Sequence, residues 1–133
     1  MSSSGGTTLY DAVGGLPFFV TLVDRFYEGV AEDEVLLSLY PEPEDLTDAR
    51  HKLALFLAQY WGGPPTYSEE RGHPALRMRH APFAIGPRER DRWVHHMLAA
   101  VGELDPPAEI REPLESYLTM AAEALVNRQH ADP

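Results

Sequence analysis

Apolar residues recur at intervals of three and four along most of the chain, and each such stretch is bounded by glycine, proline or a capping hydroxyl. Phe19, Leu22, Val23, Phe26, Tyr27 and Val30 fall on one stripe of a helix that Pro17 opens. Ala49, Leu53, Phe56, Leu57 and Tyr60 form a second stripe, stopped by Trp61-Gly62-Gly63-Pro64-Pro65. Trp93, Met97, Ala100, Val101 and Leu104 form a third, started at Gly86-Pro87 and broken by Asp105-Pro106-Pro107. Ile110, Leu114, Tyr117, Leu118, Ala121 and Leu125 carry the last helix, which frays before His130. Ahead of them all, Thr8-Leu9-Tyr10-Asp11 places a hydroxyl three residues before an acid, the mark of a helix start, and Gly14-Gly15 ends that short element.

Two stretches escape this rhythm. Asp33 to Leu39 fits a short helix or a strand equally, and Tyr40-Pro41-Glu42-Pro43 then forces a turn, because a residue before proline avoids helical backbone angles. Thr66 to Pro74 reads as a polar loop that leads into an irregular central segment. No run alternates with a period of two and no segment repeats, so the predicted fold class is all-α. A long irregular segment inside a small domain usually has a task or a binding partner that orders it, which directs the search for function there.

At 133 residues the chain makes one domain, expected over 9–128 between a Ser/Gly/Thr-rich tail at 1–8 and a short tail at 129–133. Hydrophobic residues at 44% and charged residues at 24% are ordinary globular usage, which speaks against wholesale disorder. The lack of cysteine removes disulfides, thiolate zinc sites, iron–sulfur clusters and thiol nucleophiles together. A formal net charge of −10 opposes nucleic acid, whose phosphates it repels. No apolar stretch reaches membrane-spanning length, and the first residues lack the basic-then-apolar order of an export signal. The expectation is a cytoplasmic protein with neither nucleic acid nor membrane as partner.

His80 is the residue that points to chemistry. It sits in Leu76-Arg77-Met78-Arg79-His80-Ala81-Pro82-Phe83, bracketed by Pro74 and Pro82, in a run too short for an ordinary helix and too basic for plain core. A bare structural zinc needs about four protein ligands, and the chain offers nothing resembling such a set. Haem needs only one axial side chain. A lone histidine among apolar residues is nevertheless more often structural than ligating, so pattern alone leaves both readings open. Arg71, Arg77 and Arg79 beside it form either a solvated turn or clamps for the carboxylates of a ligand. His95 and His96 are neighbours on a helix and point about 100° apart, which keeps them from sharing a metal easily. His51 should face water. Tyr27, Tyr40 and Trp93 arrive from separate segments, either as packing with satisfied polar tips or as donors aimed at a ligand in one cavity.

Longer motifs carry a resemblance. They include Leu9-Tyr10-Asp11-Ala12-Val13-Gly14-Gly15, Arg25-Phe26-Tyr27, Leu39-Tyr40-Pro41, Gln59-Tyr60-Trp61-Gly62-Gly63-Pro64, Arg71-Gly72-His73-Pro74, the His80 run and Glu89-Arg90-Asp91-Arg92-Trp93. Over Leu9 to Ala122 the chain resembles the group II truncated haemoglobins. The resemblance implies a truncated globin, a two-over-two helical sandwich around haem b, with His80 as the proximal iron ligand. It implies Tyr27, Tyr40 and Trp93 as the distal donors and Ala49 at the distal gate. Implied haem contacts are Phe26, Leu53, Phe56, Tyr67, Leu76, Arg77, Met78, Arg79, Phe83, Trp93 and Met97, the two arginines serving the propionates.

The expected function is binding of dioxygen and other small diatomic ligands at a five-coordinate iron. An enzymatic alternative uses the same pocket to detoxify nitric oxide or peroxide. The chain carries no flavin or nicotinamide fingerprint, so that alternative calls for an external reductase. A third reading, a non-haem helical interaction module, predicts a colourless protein. Acidity keeps a monomer soluble while leaving a symmetric homodimer open.

Overall fold

The computed structural model describes residues 8–72, 80 and 84–127, and every regular element among them is helical. The helices are α1 (Leu9–Ala12), α2 (Leu16–Val30), α3 (Glu34–Leu37), α4 (Thr47–Tyr60), α5 (Thr66–Arg71), α6 (Pro87–Leu104) and α7 (Ala108–Ala124). The tail residues 1–7 and 128–133, and with them Leu76, Arg77, Met78, Arg79 and Phe83, lie outside the described residues.

The ends of the helices follow from local chemistry. Thr8 Oγ1 accepts the Asp11 N–H at 3.0 Å and so caps α1. Pro17 stands in the first turn of α2 and Pro87 in that of α6, where a missing N–H leaves no partner unsatisfied. The Gly86 N–H donates to Glu89 Oε1 at 2.9 Å, which fixes the entry to α6. Asp105 takes the left-handed conformation, φ 48°, and ends that helix ahead of the two prolines.

Packing centres on α2 and α6: α2 packs most extensively against α4 and next against α6, and α6 packs in turn against α7. The α2 stripe is buried along its whole length, and Phe19, Leu22, Phe26 and Val30 are fully enclosed. Each large side chain so enclosed contributes about 1.5–3 kcal/mol. Met97, Val101, Leu114 and Leu118 complete the centre from α6 and α7. Among the described residues no helix is long and apolar enough to cross a membrane.

Three expectations change. The second stripe rotates: the deepest α4 positions are Ala54, Leu57 and Ala58, while Ala49, Leu53 and Phe56 are half-buried and Tyr60 is 50% exposed. Small side chains at the deepest positions let the α4 backbone come close to the core, and the larger apolar groups move to its flanks. Tyr60 instead stacks on Tyr117, ring centroids 4.0 Å apart.

The stretch expected as a polar loop from Thr66 contains α5. Its stability comes from a neighbour, because Gln59 Nε2 donates to Ser68 Oγ at 2.9 Å and Gln59 Oε1 accepts the Ser68 N–H at 3.0 Å. Tyr67 is buried beneath it against Phe56, at 5.5 Å.

The ambiguous stretch after Asp33 resolves to the single turn α3. A turn of that length does not sustain itself. Asp33 Oδ1 accepts the N–H groups of Val35 and Leu36 at 3.1 and 3.4 Å and so nucleates it, and Leu36 is buried.

Candidate functional site

α3, α6 and the end of α7 enclose a cavity of about 140 Å³. Leu36, Leu39, Tyr40 and Pro41 form one wall, Glu89, Arg90 and Trp93 of α6 another, and Ala122 and Leu125 a third. His80 and Ile85 complete it. Three of the expected site residues, His80, Tyr40 and Trp93, therefore share one mostly apolar space. Leu36, Leu39, Ile85, Ala122 and Leu125 in its wall were not among the residues expected at the site. Leu36 and Leu39 fall in the one stretch whose periodicity was ambiguous, which hid their inward face.

A residue far along the chain holds His80. Asn127 Nδ2 donates to the His80 carbonyl at 3.2 Å, Asn127 Oδ1 accepts the Ile85 N–H at 3.0 Å, and the Asn127 N–H donates to the Ile85 carbonyl at 2.8 Å. The side-chain amide thus ties the backbone on both sides of the central segment to the end of α7. Sequence reading missed it, since an asparagine beyond a helix end ordinarily reads as a terminator.

Tyr40 and Trp93 are the two ends of a connected row of aromatic rings that runs through Tyr27 and Phe26. Tyr40 meets Tyr27 at 5.6 Å between ring centroids, Tyr27 meets Phe26 at 4.8 Å, and Phe26 meets Trp93 at 5.3 Å, all edge-to-face. Tyr27 is 4% exposed, and burial, followed by the neighbouring Tyr40, pushes its phenol well above the ordinary range. Arg50, whose guanidinium carbon lies 5.8 Å from the centre of the Tyr27 ring, opposes that shift and is itself fixed by Asp24 at 3.0 Å. Burial also raises the Tyr40 phenol, against a hydrogen bond with Tyr27 that lowers it. Both phenols therefore keep their protons at neutral pH and can donate them.

The other expected cofactor contacts are placed differently. Phe26 and Met97 are fully buried core residues, with Phe26 directly behind Trp93. Leu53, Phe56 and Ala49 lie half-buried along α4, and Tyr67 is buried beside Phe56. None of these is in the wall of the His80 cavity. Arg71 ends α5, and His51 is exposed, with its Nε2 3.0 Å from Glu70 Oε1.

On the outer side of α3 and α6 lies a broader, open groove that includes Gly29, Asp33, Arg92 and His96. Asp33 is its buried floor, 6% exposed. Its Oδ2 meets His96 Nε2 at 2.8 Å and the Arg92 guanidinium at 3.2 Å. Burial works against ionisation of this carboxyl, but the hydrogen bonds from His96, Arg92 and the Leu36 N–H outweigh it and hold its pKa below the usual carboxylate range. Sequence reading gave His96 no role. The available signal was its place three residues after Trp93, on the same helix face.

The donor chemistry indicates what the cavity suits. Among the described residues no group of three or more His, Asp or Glu side chains is arranged to hold a metal ion. One histidine in the lining of a mostly apolar cavity fits the donor requirement of a metal whose remaining ligands come with an organic ring, as in haem.

The chain matches the model of the bacterial-like globin family over residues 8–127. It is 42% identical over 123 residues to the group 2 truncated hemoglobin YjbI of Bacillus subtilis (strain 168), covering 92% of this chain and 91% of that protein. Its fold matches a thermostable hemoglobin from the actinobacterium Thermobifida fusca with a TM-score of 0.90 and 58% identity, covering 93% of this chain and all of that one (100%). It also matches a truncated oxygen-avid haemoglobin from Bacillus subtilis with a TM-score of 0.85 and 42% identity, over 91% of this chain and 100% of that one.

Proposed function

The chain belongs to the bacterial-like globin family, in its group II truncated haemoglobin branch, and from that premise we propose that it holds haem b through His80 and binds dioxygen tightly and reversibly beneath Tyr27, Tyr40 and Trp93. Haem binding of small gaseous ligands is the family's property; the choice of dioxygen and the roles of the residues are the proposal. The observation that carries it is the sharing of one cavity by His80, Tyr40 and Trp93.

When bound, haem would supply an iron able to take a diatomic ligand. His80 would supply the imidazole that holds the haem iron, and Asn127 keeps the His80 backbone in place. Tyr40 and Trp93 line the same space from different elements, and in this reading their O–H and N–H serve as the donors. Tyr27 backs Tyr40, and the raised pKa values of both phenols keep them donors and not anions. A hydrogen bond to a charged partner contributes roughly 1.5–3 kcal/mol, so two pre-oriented donors slow release by orders of magnitude. The oxygen-avid character of the Bacillus subtilis relative agrees with this reading.

The test is spectroscopic and kinetic. The reconstituted protein should show a Soret band whose ferrous five-coordinate form is lost in His80→Ala. Oxygen release should quicken by at least about tenfold in Trp93→Phe. A colourless protein after reconstitution, or fast release unaffected by Trp93→Phe, would overturn the proposal. Turnover of nitric oxide or peroxide faster than by free haem would instead favour the enzymatic use of the same pocket.

A further inference from the structure

The three residues proposed as donors come from three different elements, Tyr27 from α2, Tyr40 from the turn after α3 and Trp93 from α6. Their usefulness depends on mutual placement to a fraction of an ångström, and no one of these elements fixes the others. His96 is where the three meet.

Its contact with α2 is very close. A β-carbon on Gly29 would lie 2.5 Å from His96 Nδ1, so the imidazole lies against the α2 backbone two residues beyond Tyr27. Its contact with α3 is the 2.8 Å bond from Nε2 to Asp33 Oδ2. Asp33 is itself the cap of α3, and backbone hydrogen bonds run on from it toward Tyr40: Leu37 N–H to the Asp33 carbonyl, Leu39 N–H to Leu36, and Tyr40 N–H to Leu37, at 2.8, 2.9 and 3.1 Å. A displacement of Asp33 is therefore passed along a bonded turn to the Tyr40 ring. On α6, His96 follows Trp93 by one helical turn and shares its face.

We infer that His96, gripped by Asp33, is a positioning residue that sets the relative placement of Tyr27, Tyr40 and Trp93. It touches neither haem nor ligand in this role. Arg92 supports the grip from the adjacent position on α6, with 3.2 Å to the same carboxylate oxygen. The inference rests on the distal-donor reading above and adds to it the device that holds the donors in register.

The experiment uses the haem-loaded protein with carbon monoxide as the probe, since the stretching frequency of that ligand reports the donors around it. Oxygen release and thermal stability are measured beside it. His96→Leu should shift and broaden the stretch band and quicken oxygen release by about tenfold, the effect of misplacing one charge-assisted donor. His96→Gln, which retains a side-chain N–H for Asp33, should recover most of the original band. Should His96→Leu fail to fold, Asp33→Asn serves, because it keeps an oxygen for the α3 cap while removing the charge that grips His96 and Arg92. It should shift the band in the same direction.

A lowered melting temperature with an unmoved band and an unchanged release rate, in either variant, would reduce His96 to a structural role and overturn the inference. Tyr40→Phe and Trp93→Phe separate this failure from failure of the underlying reading. If they shift the band and the His96 and Asp33 variants do not, the positioning role alone falls. If they too leave it unmoved, the distal-donor reading falls and the positioning role with it.

Discussion

Gly29 and His96 fit so closely that no β-carbon can stand between them, since one built on Gly29 would approach the imidazole Nδ1 to 2.5 Å. Gly29 is in the last turn of α2 and has no positive φ to favour glycine, so alanine there would ordinarily improve stability, by up to about 0.5–1 kcal/mol. Here Gly29→Ala must push the ring away from Asp33, and a loss of about 1–3 kcal/mol is expected, measured by denaturant unfolding. Gly102 is the control. A β-carbon there meets only the far end of Arg111, at 3.4 Å, so Gly102→Ala should be neutral or stabilising. Equal responses of the two variants would contradict the close fit at Gly29.

Asn127 makes three hydrogen bonds to the segment that carries His80. Two of them use the side chain, so Asn127→Ala removes a partner from the part-buried His80 carbonyl and Ile85 N–H and should destabilise the protein by about 1–3 kcal/mol. The functional sign is faster loss of haem to an acceptor apoprotein, at least several-fold, with little change in the distal environment reported by carbon monoxide. Unaltered haem retention would show that His80 is held by other means.

The Asp33 carboxyl has a folded pKa below its unfolded value, despite its burial. A depressed carboxylate pKa contributes stability that is present above the unfolded value, about pH 4, and is lost as pH falls through the folded value. Acid unfolding should therefore begin below about pH 4 and include separation of α3 from α6. In Asp33→Asn the fall in melting temperature across that window should be shallower than in the native chain. An identical slope would show that other carboxylates govern the acid limb.

At the other end of the pH scale, burial followed by the neighbouring Tyr60 pushes the Tyr117 phenol up to about 12. A raised phenol pKa favours the fold below the unfolded value of about 10, and that contribution is lost as pH rises toward the folded value. Ultraviolet titration should show several late-ionising tyrosines, Tyr27 and Tyr40 among them, and one fewer in Tyr117→Phe. Tyr60→Phe should preserve the stacked pair while shifting that titration downward. An unchanged late titration in Tyr117→Phe would place the group elsewhere.

The sequence by itself determined the long helices and singled out three residues, His80, Tyr40 and Trp93, that the fold brings to one cavity. The α2 stripe is buried at every expected position, and the Gly86-Pro87 start and Asp105-Pro106-Pro107 stop of α6 stand where expected. Apolar spacing, caps and breakers act within a few residues, so the linear order records them directly. His80, Tyr40 and Trp93 were likewise identifiable by residue type and motif.

Tertiary structure decided what depends on partners distant along the chain. Asp33 finds Arg92 and His96 across 59 and 63 positions, and Asn127 reaches His80 across 47. α5 takes its support from Gln59, outside its own sequence. The rotation of α4 that buries Ala54 and Ala58 and exposes Tyr60 reflects the close fit of one helix surface in the core. Periodicity registers which face of a helix is apolar. It carries no record of which polar side chain will meet a given carboxylate or carbonyl once the helices cross, because those bonds exist only when packing has brought their atoms within about 3 Å.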